Sequence, residues 1–185
     1  MDYTMLVNKT NKVDNNYVPD NLILTDSIYK NNIYLNDKCF EMFKKLQKDM
    51  KRLGYSIDIM SGYRSYKYQE KIYNKLVHDK GLSYASRTVA TPGSSEHQTG
   101  LAIDICVYKK DKCYIEHDLI DMKEISYLHK NIHKYGFILR YPFGKEEITG
   151  YNYEPWHIRY VGDISKYLYK NNFTLEEYYQ KKLVK

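Results

Sequence analysis

The sequence predicts an α+β fold, a small and largely antiparallel sheet flanked by helices, in one domain spanning residues 1–185. Three observations carry that expectation. Apolar residues recur at spacings of three and four between Asn36 and Leu53, which is the period of an amphipathic helix. Short runs of strand character follow, mixed with further helical stretches. No internal repeat, low-complexity tract or long linker divides the 185 residues, a length at which about two thirds of the unfolded surface is buried.

Residues 1–34 read as irregular, with short extended pieces around Leu6-Val7 and Leu22-Ile23-Leu24 and a turn at Pro19. In the first helix Phe40, Phe43, Leu46, Met50 and Leu53 form the apolar stripe. Asn36 caps its start and Gly54 takes the left-handed position beyond its end. Ser56 to Met60 alternates as a short strand, and Ser61-Gly62-Tyr63-Arg64 is a turn. Ser65 caps a second helix that runs through Ile72, Tyr73, Leu76 and Val77 and ends before Gly81.

Leu101 to Tyr108 is apolar on both faces, as a central strand is, with a turn expected at Asp111-Lys112. A third helix is expected from about Met122 to Tyr135, ended by Gly136. Phe137–Leu139 and Trp156–Val161 read as strands. Thr174-Leu175-Glu176-Glu177 has the form of a capping box opening a C-terminal helix.

Composition excludes several classes. The net charge of +6 comes from Lys and Arg scattered among 23 acidic residues with no arginine-rich run. That pattern describes a solvated mixed-charge surface, so no nucleic-acid partner is expected, although a mild cationic bias favours an anionic polymer or a substrate with a free carboxylate. Three cysteines without a CxxC pair argue against a disulfide framework. The N-terminus has neither a basic n-region nor an apolar h-region, and no apolar run approaches the ~18 residues of a membrane span, so the cytoplasm is the expected location, or an extracytoplasmic one if a leader has been removed. The 22 tyrosines could line a sugar- or peptide-binding cleft, but ordinary half-buried packing is the expected role of most of them.

The chemistry concentrates in two segments. His97 and Asp104 are seven residues apart, and a turn at Gly100 lets the chain reverse between them so that both side chains reach one metal. Alone, such a pair is more often a surface-loop histidine and a strand-end carboxylate in an ion pair. Glu154-Pro155-Trp156-His157 adds a second imidazole and a second carboxylate. Regular alternation would place Glu154 and His157 on opposite faces, but Pro155 favours an edge or a bulge, where that parity breaks. His97, Asp104 and His157 then make three ligands with one position left open, and Glu154 is placed for proton transfer, the inventory of a catalytic zinc site. Trp156 reads as a core or cleft-wall residue. Arg159 either points the same way as His157 or forms a solvent-facing ion pair.

Arg64 offers a guanidinium to a substrate carboxylate or a developing oxyanion, and Gln69, one turn into the next helix, could donate to the same group. An arginine in a tight turn is also a common surface salt bridge. His129 and His133 are one helical turn apart but lack the glutamate of a His-Glu-x-x-His helix, and they read as polar-face residues. Cys106 shares strand parity with Asp104; a buried core thiol is its expected role.

These residues resemble a known family. Ser95, His97, Gly100, Ala102 and Asp104 meet the Ser-x-His-x3-Gly-x-Ala-x-Asp pattern of the zinc peptidases that include lysostaphin-like enzymes and the hedgehog domain. Glu154, Trp156 and His157 meet the Glu-x-Trp-His pattern. The strings Ser61–Ser65 and Glu147–Gly162, the opening Leu6-Val7-Asn8-Lys9 and the closing Thr174–Tyr178 are similar to the vancomycin-resistance D,D-carboxypeptidases of the VanY type. They are closer still to the leaderless VanXY type, which combines dipeptidase and carboxypeptidase activity.

The resemblance covers nearly the whole chain and implies a hedgehog/D,D-peptidase-like fold. It implies one Zn2+ on His97, Asp104 and His157, with Glu154 as the base, and Arg64, Gln69 and Ser95 holding a C-terminal D-alanine. The implied substrates are peptidoglycan precursor peptides ending in D-Ala-D-Ala, or the free dipeptide. Rival readings are an L,D-carboxypeptidase or endopeptidase on the same site, and a zinc-stabilised binding domain that does not hydrolyse. Residues 108–121 look less family-like, and a loop there would alter which substrates fit.

Overall fold

Asn36 closes a strand and opens a helix. Its side chain accepts hydrogen bonds from the backbone N–H groups of Lys38 and Cys39, satisfying two donors that a helix start leaves open. The structure is a computed structural model describing residues 1–110 and 112–183. Strand β1 (Leu22–Leu24) pairs antiparallel with β2 (Tyr34–Asn36), and helix α1 (Asp37–Arg52) follows. The expected extended pieces at Leu22–Leu24 are therefore a hairpin arm, whereas Leu6-Val7 lies in irregular chain.

Strand β3 (Ser56–Ser61) leads to α2 (Tyr66–Lys80), capped by the Ser65 side chain, and to α3 (Leu82–Thr88), which has no periodic pattern of its own and was not expected. A 3-10 turn at Glu96–Thr99 ends in Gly100 with φ +70°. That left-handed conformation favours glycine, and a Cβ there would also crowd the backbone nitrogen of Asn36 at 3.2 Å. Strands β4 (Ala102–Lys109) and β5 (Lys112–Tyr114) follow. The turn expected at Asp111-Lys112 lies partly outside the described residues.

Helix α4 (Lys123–Asn131) tightens into a 3-10 turn at Ile132–Tyr135, so the expected third helix exists but changes pitch over its last turn. Strand β6 (Phe137–Leu139), the single helical turn α5 (Glu146–Thr149), β7 (His157–Tyr160), α6 (Ser165–Asn171) and α7 (Leu175–Leu183) complete the chain. The capping box forms as expected. Thr174 Oγ1 accepts from Glu177 N at 3.2 Å, and Glu177 Oε2 accepts from Thr174 N at 2.8 Å.

The main sheet has the order β3-β4-β7-β6, with β5 pairing a separate stretch of β4, and every pairing is antiparallel. The expected α+β fold with a small antiparallel sheet is the fold found. Alternation divides this sheet by chemistry. Ile57, Ile59, Ile103, Ile105, Val107 and Ile158 join Phe43, Leu46 and Met50 of α1 and Ile125 and Leu128 of α4 in one apolar core. The opposite face carries Asp58, Asp104, Cys106, His157 and Arg159. Burial of the first face holds the second rigid, so the polar groups are presented from a fixed surface.

Candidate active site

The ladder between β4 and β7 places Asp104 directly opposite His157. No bulge in β7 is needed. Glu154 stands before the strand, in a tight turn in which His157 N bonds Glu154 O at 3.2 Å, and β7 is an interior strand of the sheet rather than an edge. The parity expected to break at Pro155 thus never starts. Gly100 turns the chain so that His97 approaches from the preceding 3-10 turn.

His97, Asp104 and His157 are all buried, and one ligand atom from each lies within 4.8 Å of the others. They form the one cluster of this kind among the described residues. His97 Nε2 is 3.1 Å from Asp104 Oδ2, and His157 Nδ1 is 3.0 Å from Asp104 Oδ1. The His97 Nδ1 atom faces the Gly62 carbonyl at 2.6 Å. A carbonyl only accepts, so Nδ1 carries the proton and Nε2 keeps its lone pair for the cluster.

Burial and the Arg64 guanidinium push the His97 pKa down, toward the neutral form that ligates metals. Burial opposes ionisation of Asp104, but His97 and Arg64 outweigh it and hold its pKa well below the usual carboxylate range. Burial likewise disfavours a charged His157, yet the Asp104 and Glu96 carboxylates that face its ring raise its pKa to about 9, so the surroundings favour positive charge at this point. Asp104 Oδ1 is buried without a hydrogen-bond partner among the described residues. Two imidazoles, a carboxylate, an unpartnered carboxylate oxygen and a preference for positive charge fit a divalent cation of the nitrogen- and oxygen-binding class.

Glu154 stands beside this cluster, its Oε2 3.6 Å from His157 Nδ1 and its side chain 17% exposed. Burial, reinforced by the Asp104 carboxylate against His157 and Arg64, pushes its pKa up to about 7, where a carboxylate both accepts and releases a proton near neutrality. Arg64 donates to Asp104 Oδ2 at 2.6 Å and to Ser61 Oγ at 3.0 Å. Ser95 and Gln69 line the same cleft, which has a volume of about 770 Å³. Gln69 Nε2 donates to Ala90 O at 2.8 Å, which fixes the amide orientation and leaves Oε1 buried and unpartnered among the described residues.

All seven residues singled out from the sequence line this one cleft. Trp156 also lines it, packed against the core and edge-on to His117, their centroids 5.1 Å apart. Glu116 and His117 come from the stretch that looked least family-like, so that stretch does form part of the cleft wall.

Other expectations require correction. Arg159 shares the face of His157 but reaches neither cleft nor solvent. It is fully buried, with Nη1 2.7 Å from Glu96 Oε1 and Nη2 donating to the carbonyls of Tyr3 and Met5. His129 is no polar-face residue; it is half-buried, with Nε2 2.9 Å from Pro155 O. His133 stacks on Tyr169 at 3.8 Å. Cys106 is a buried thiol outside the metal-ligand group, as expected. Glu96 and Arg140 were not singled out at all, and nothing in the local pattern marks either as buried. The available hint was position, since Glu96 fills the variable place between Ser95 and His97.

A sequence model of the VanY family, described as D-alanyl-D-alanine carboxypeptidase, matches residues 32–163. The chain belongs to the VanY family. It is therefore an enzyme, a peptidase of the carboxypeptidase type. It is 36% identical over 97% of its length to the bifunctional D-Ala-D-Ala dipeptidase and D-Ala-D-Ala carboxypeptidase VanXYC of Enterococcus gallinarum, covering 94% of that relative. It is 39% identical over 95% of its length to YodJ of Bacillus subtilis (strain 168), of which it spans 66%.

Two solved structures are similar across the whole VanY-like fold. One is the LdcB LD-carboxypeptidase, with TM-score 0.88 and 40% identity, covering 95% of this chain and 85% of that one. The other is a vancomycin-resistance D,D-pentapeptidase VanY variant in complex with Zn(II), with TM-score 0.82 and 31% identity, covering 96% of this chain and 99% of that one.

Proposed function

We propose that this chain, as one catalytic domain, is a zinc-dependent D,D-carboxypeptidase that removes the terminal D-alanine from peptidoglycan precursors ending in D-Ala-D-Ala and also accepts the free dipeptide. The observation that carries it is the half-buried Glu154 carboxylate standing 3.6 Å from His157 beside a buried three-ligand cluster. A site that only stabilises a fold has no use for such a base, which disfavours a non-hydrolytic binding domain. The VanXYC likeness supports the substrate, and the Zn(II) complex of the VanY variant supports the metal.

His97 through Nε2, Asp104, and His157 through Nδ1 would hold the zinc ion, which when bound supplies Lewis acidity to the scissile carbonyl and to water. The rest is work for the chain. Glu154 takes a proton from the attacking water as the C–O bond forms and delivers it to the departing nitrogen as the C–N bond breaks, releasing D-alanine and a shortened peptide acid. Arg64 offsets negative charge on the substrate. Ser95 and Gln69 orient the terminal residue from the cleft wall.

A second reading, L,D-carboxypeptidase activity, is favoured by the likeness to LdcB. Loading the protein with zinc and incubating it separately with D-Ala-D-Ala, a muramyl pentapeptide and a muramyl tetrapeptide separates the two. Release of D-alanine from the pentapeptide is expected. Release from the tetrapeptide alone would move the assignment to the L,D reading. No helix among the described residues is long and apolar enough to cross a membrane.

A further inference from the structure

Behind the cluster, on the side of His157 away from Asp104, lies a buried ionic network that the proposed reaction does not itself use. Glu96 Oε1 accepts from Arg140 Nε at 2.7 Å and from Arg159 Nη1 at 2.7 Å. Arg140 continues through Nη1 and Nη2 to both oxygens of Glu176 at 2.9 and 2.7 Å, and Glu176 Oε1 accepts from Asn8 Nδ2 at 3.1 Å. Both arginines are fully buried, and Glu96 and Glu176 are 1% and 7% exposed. Two carboxylates against two guanidiniums balance the charge. Taking four ions from water costs several kcal/mol each before pairing, so the arrangement is an expensive way to join segments of chain that apolar contacts would join as well.

The network has one loose end, and it points at a metal ligand. Glu96 Oε2 has no hydrogen-bond partner among the described residues, and neither has His157 Nε2. The two atoms face each other at 3.6 Å, in the range of an ion pair and about 0.5 Å beyond a hydrogen bond. His157 turns its other nitrogen, Nδ1, to Asp104. When Nδ1 gives its lone pair to a metal, the ring's proton resides on Nε2, and Glu96 Oε2 is the acceptor in front of it.

We propose that Glu96 is a positioning residue for His157: the two arginines occupy its Oε1 and hold its Oε2 against Nε2–H, which fixes the ring so that Nδ1 is the ligating atom. This rests on the reading of His157 as a metal ligand. His97 is held in the same sense by a backbone carbonyl, that of Gly62. The two imidazoles are thus locked with opposite nitrogens inward, one by backbone and one by a buried carboxylate. Outer partners of this kind set ligand orientation and basicity, and losing one costs about 10- to 100-fold in metal affinity.

The test is zinc affinity of the full chain by chelator competition for Glu96→Gln, with Glu176→Gln as control, since both remove one carboxylate from the network and only the first touches His157. Visible absorption of the cobalt-loaded proteins reads ligand geometry in parallel. Expected are a 10- to 100-fold loss of affinity and an altered cobalt spectrum for Glu96→Gln, with both unchanged for Glu176→Gln. Wild-type affinity and spectrum in Glu96→Gln, or equal losses in the two variants, would overturn the proposal. Should Glu96→Gln not fold, Glu96→Asp, which keeps the charge and withdraws it from His157 by one methylene, decides by the same comparison. His157→Ala separates the two failures: zinc binding like the wild type would overturn the ligand assignment on which the proposal rests, whereas lost binding there together with wild-type affinity in Glu96→Gln would overturn the role of Glu96 alone.

Discussion

Arg64 Nη2 donates to Asp104 Oδ2 at 2.6 Å, so the proposed substrate clamp and a metal-ligand candidate share one charge-assisted hydrogen bond. The guanidinium is held from two sides, by Asp104 and by Ser61 Oγ, and it remains partly exposed to the cleft at 22% of its side chain. Arg64→Ala is expected to lower kcat/KM by about 100- to 1,000-fold while zinc still binds, because three ligands remain. Arg64→Lys should recover little, since a point charge does not replace the fork. Steady-state kinetics with a D-Ala-D-Ala-terminated peptide and metal analysis on the same samples check both parts. An unchanged kcat/KM would remove Arg64 from the reaction.

Gly62 has a different kind of importance. A Cβ there would lie 2.5 Å from the Tyr34 carbonyl and 2.9 Å from Ile33 Cγ2, and the carbonyl of Gly62 itself orients His97. Gly62→Ala must push the β2 strand away or move that carbonyl. We expect a stability loss of about 1–3 kcal/mol in chemical denaturation together with about tenfold or greater weakening of zinc binding. A variant that loses stability with wild-type affinity would show that the carbonyl's place is not critical.

Acid lability follows from Glu96. Burial alone would raise its carboxyl pKa, but Arg140 and Arg159 outweigh burial and hold it far below the usual carboxylate range. A carboxyl with a depressed folded pKa contributes stability that is fully present above its unfolded pKa of about 4.3 and is lost as pH falls toward the folded one. Wild type is therefore expected to exceed Glu96→Gln by about 3–5 kcal/mol at neutral pH, with the gap narrowing below about pH 4.3. Urea titrations of metal-free protein at several pH values measure this. A gap that widens on acidification would contradict the sign.

Zinc should also be a stabiliser. A ligand that binds only the folded chain adds about 2.7 kcal/mol at 100 times its Kd, which for a domain of this size raises Tm by about 5–10 °C. Chelation should reverse the shift and abolish peptide cleavage, and His97→Ala should show no shift at all. A zinc-induced rise retained in His97→Ala would place the ion elsewhere.

Local signals reveal most of this fold. Asn36, Ser65 and the Thr174–Glu177 box mark helix starts at the observed positions because each acts on its nearest neighbours in the chain. Helix α3 and the single turn α5 are not legible because they are short and bury one residue each, Ala85 and Thr149, which leaves no apolar stripe to read. The cleft residues were legible as motif positions, and cross-strand register supplies the reason, with Asp104 opposite His157. Arg140, Arg159 and Glu96 were not legible as a group. Charged residues read as surface unless partners are known, and these partners are separated by 44 and 63 residues in the chain.

Proton transfer by Glu154 is the central claim, and Glu154→Ala tests it most directly. Zinc content and D-alanine release from a D-Ala-D-Ala-terminated peptide should be measured on the same preparation. The expected result is one zinc per chain, as in the wild type, with turnover reduced by about 100- to 10,000-fold. Turnover near the wild-type rate with zinc bound would contradict the account.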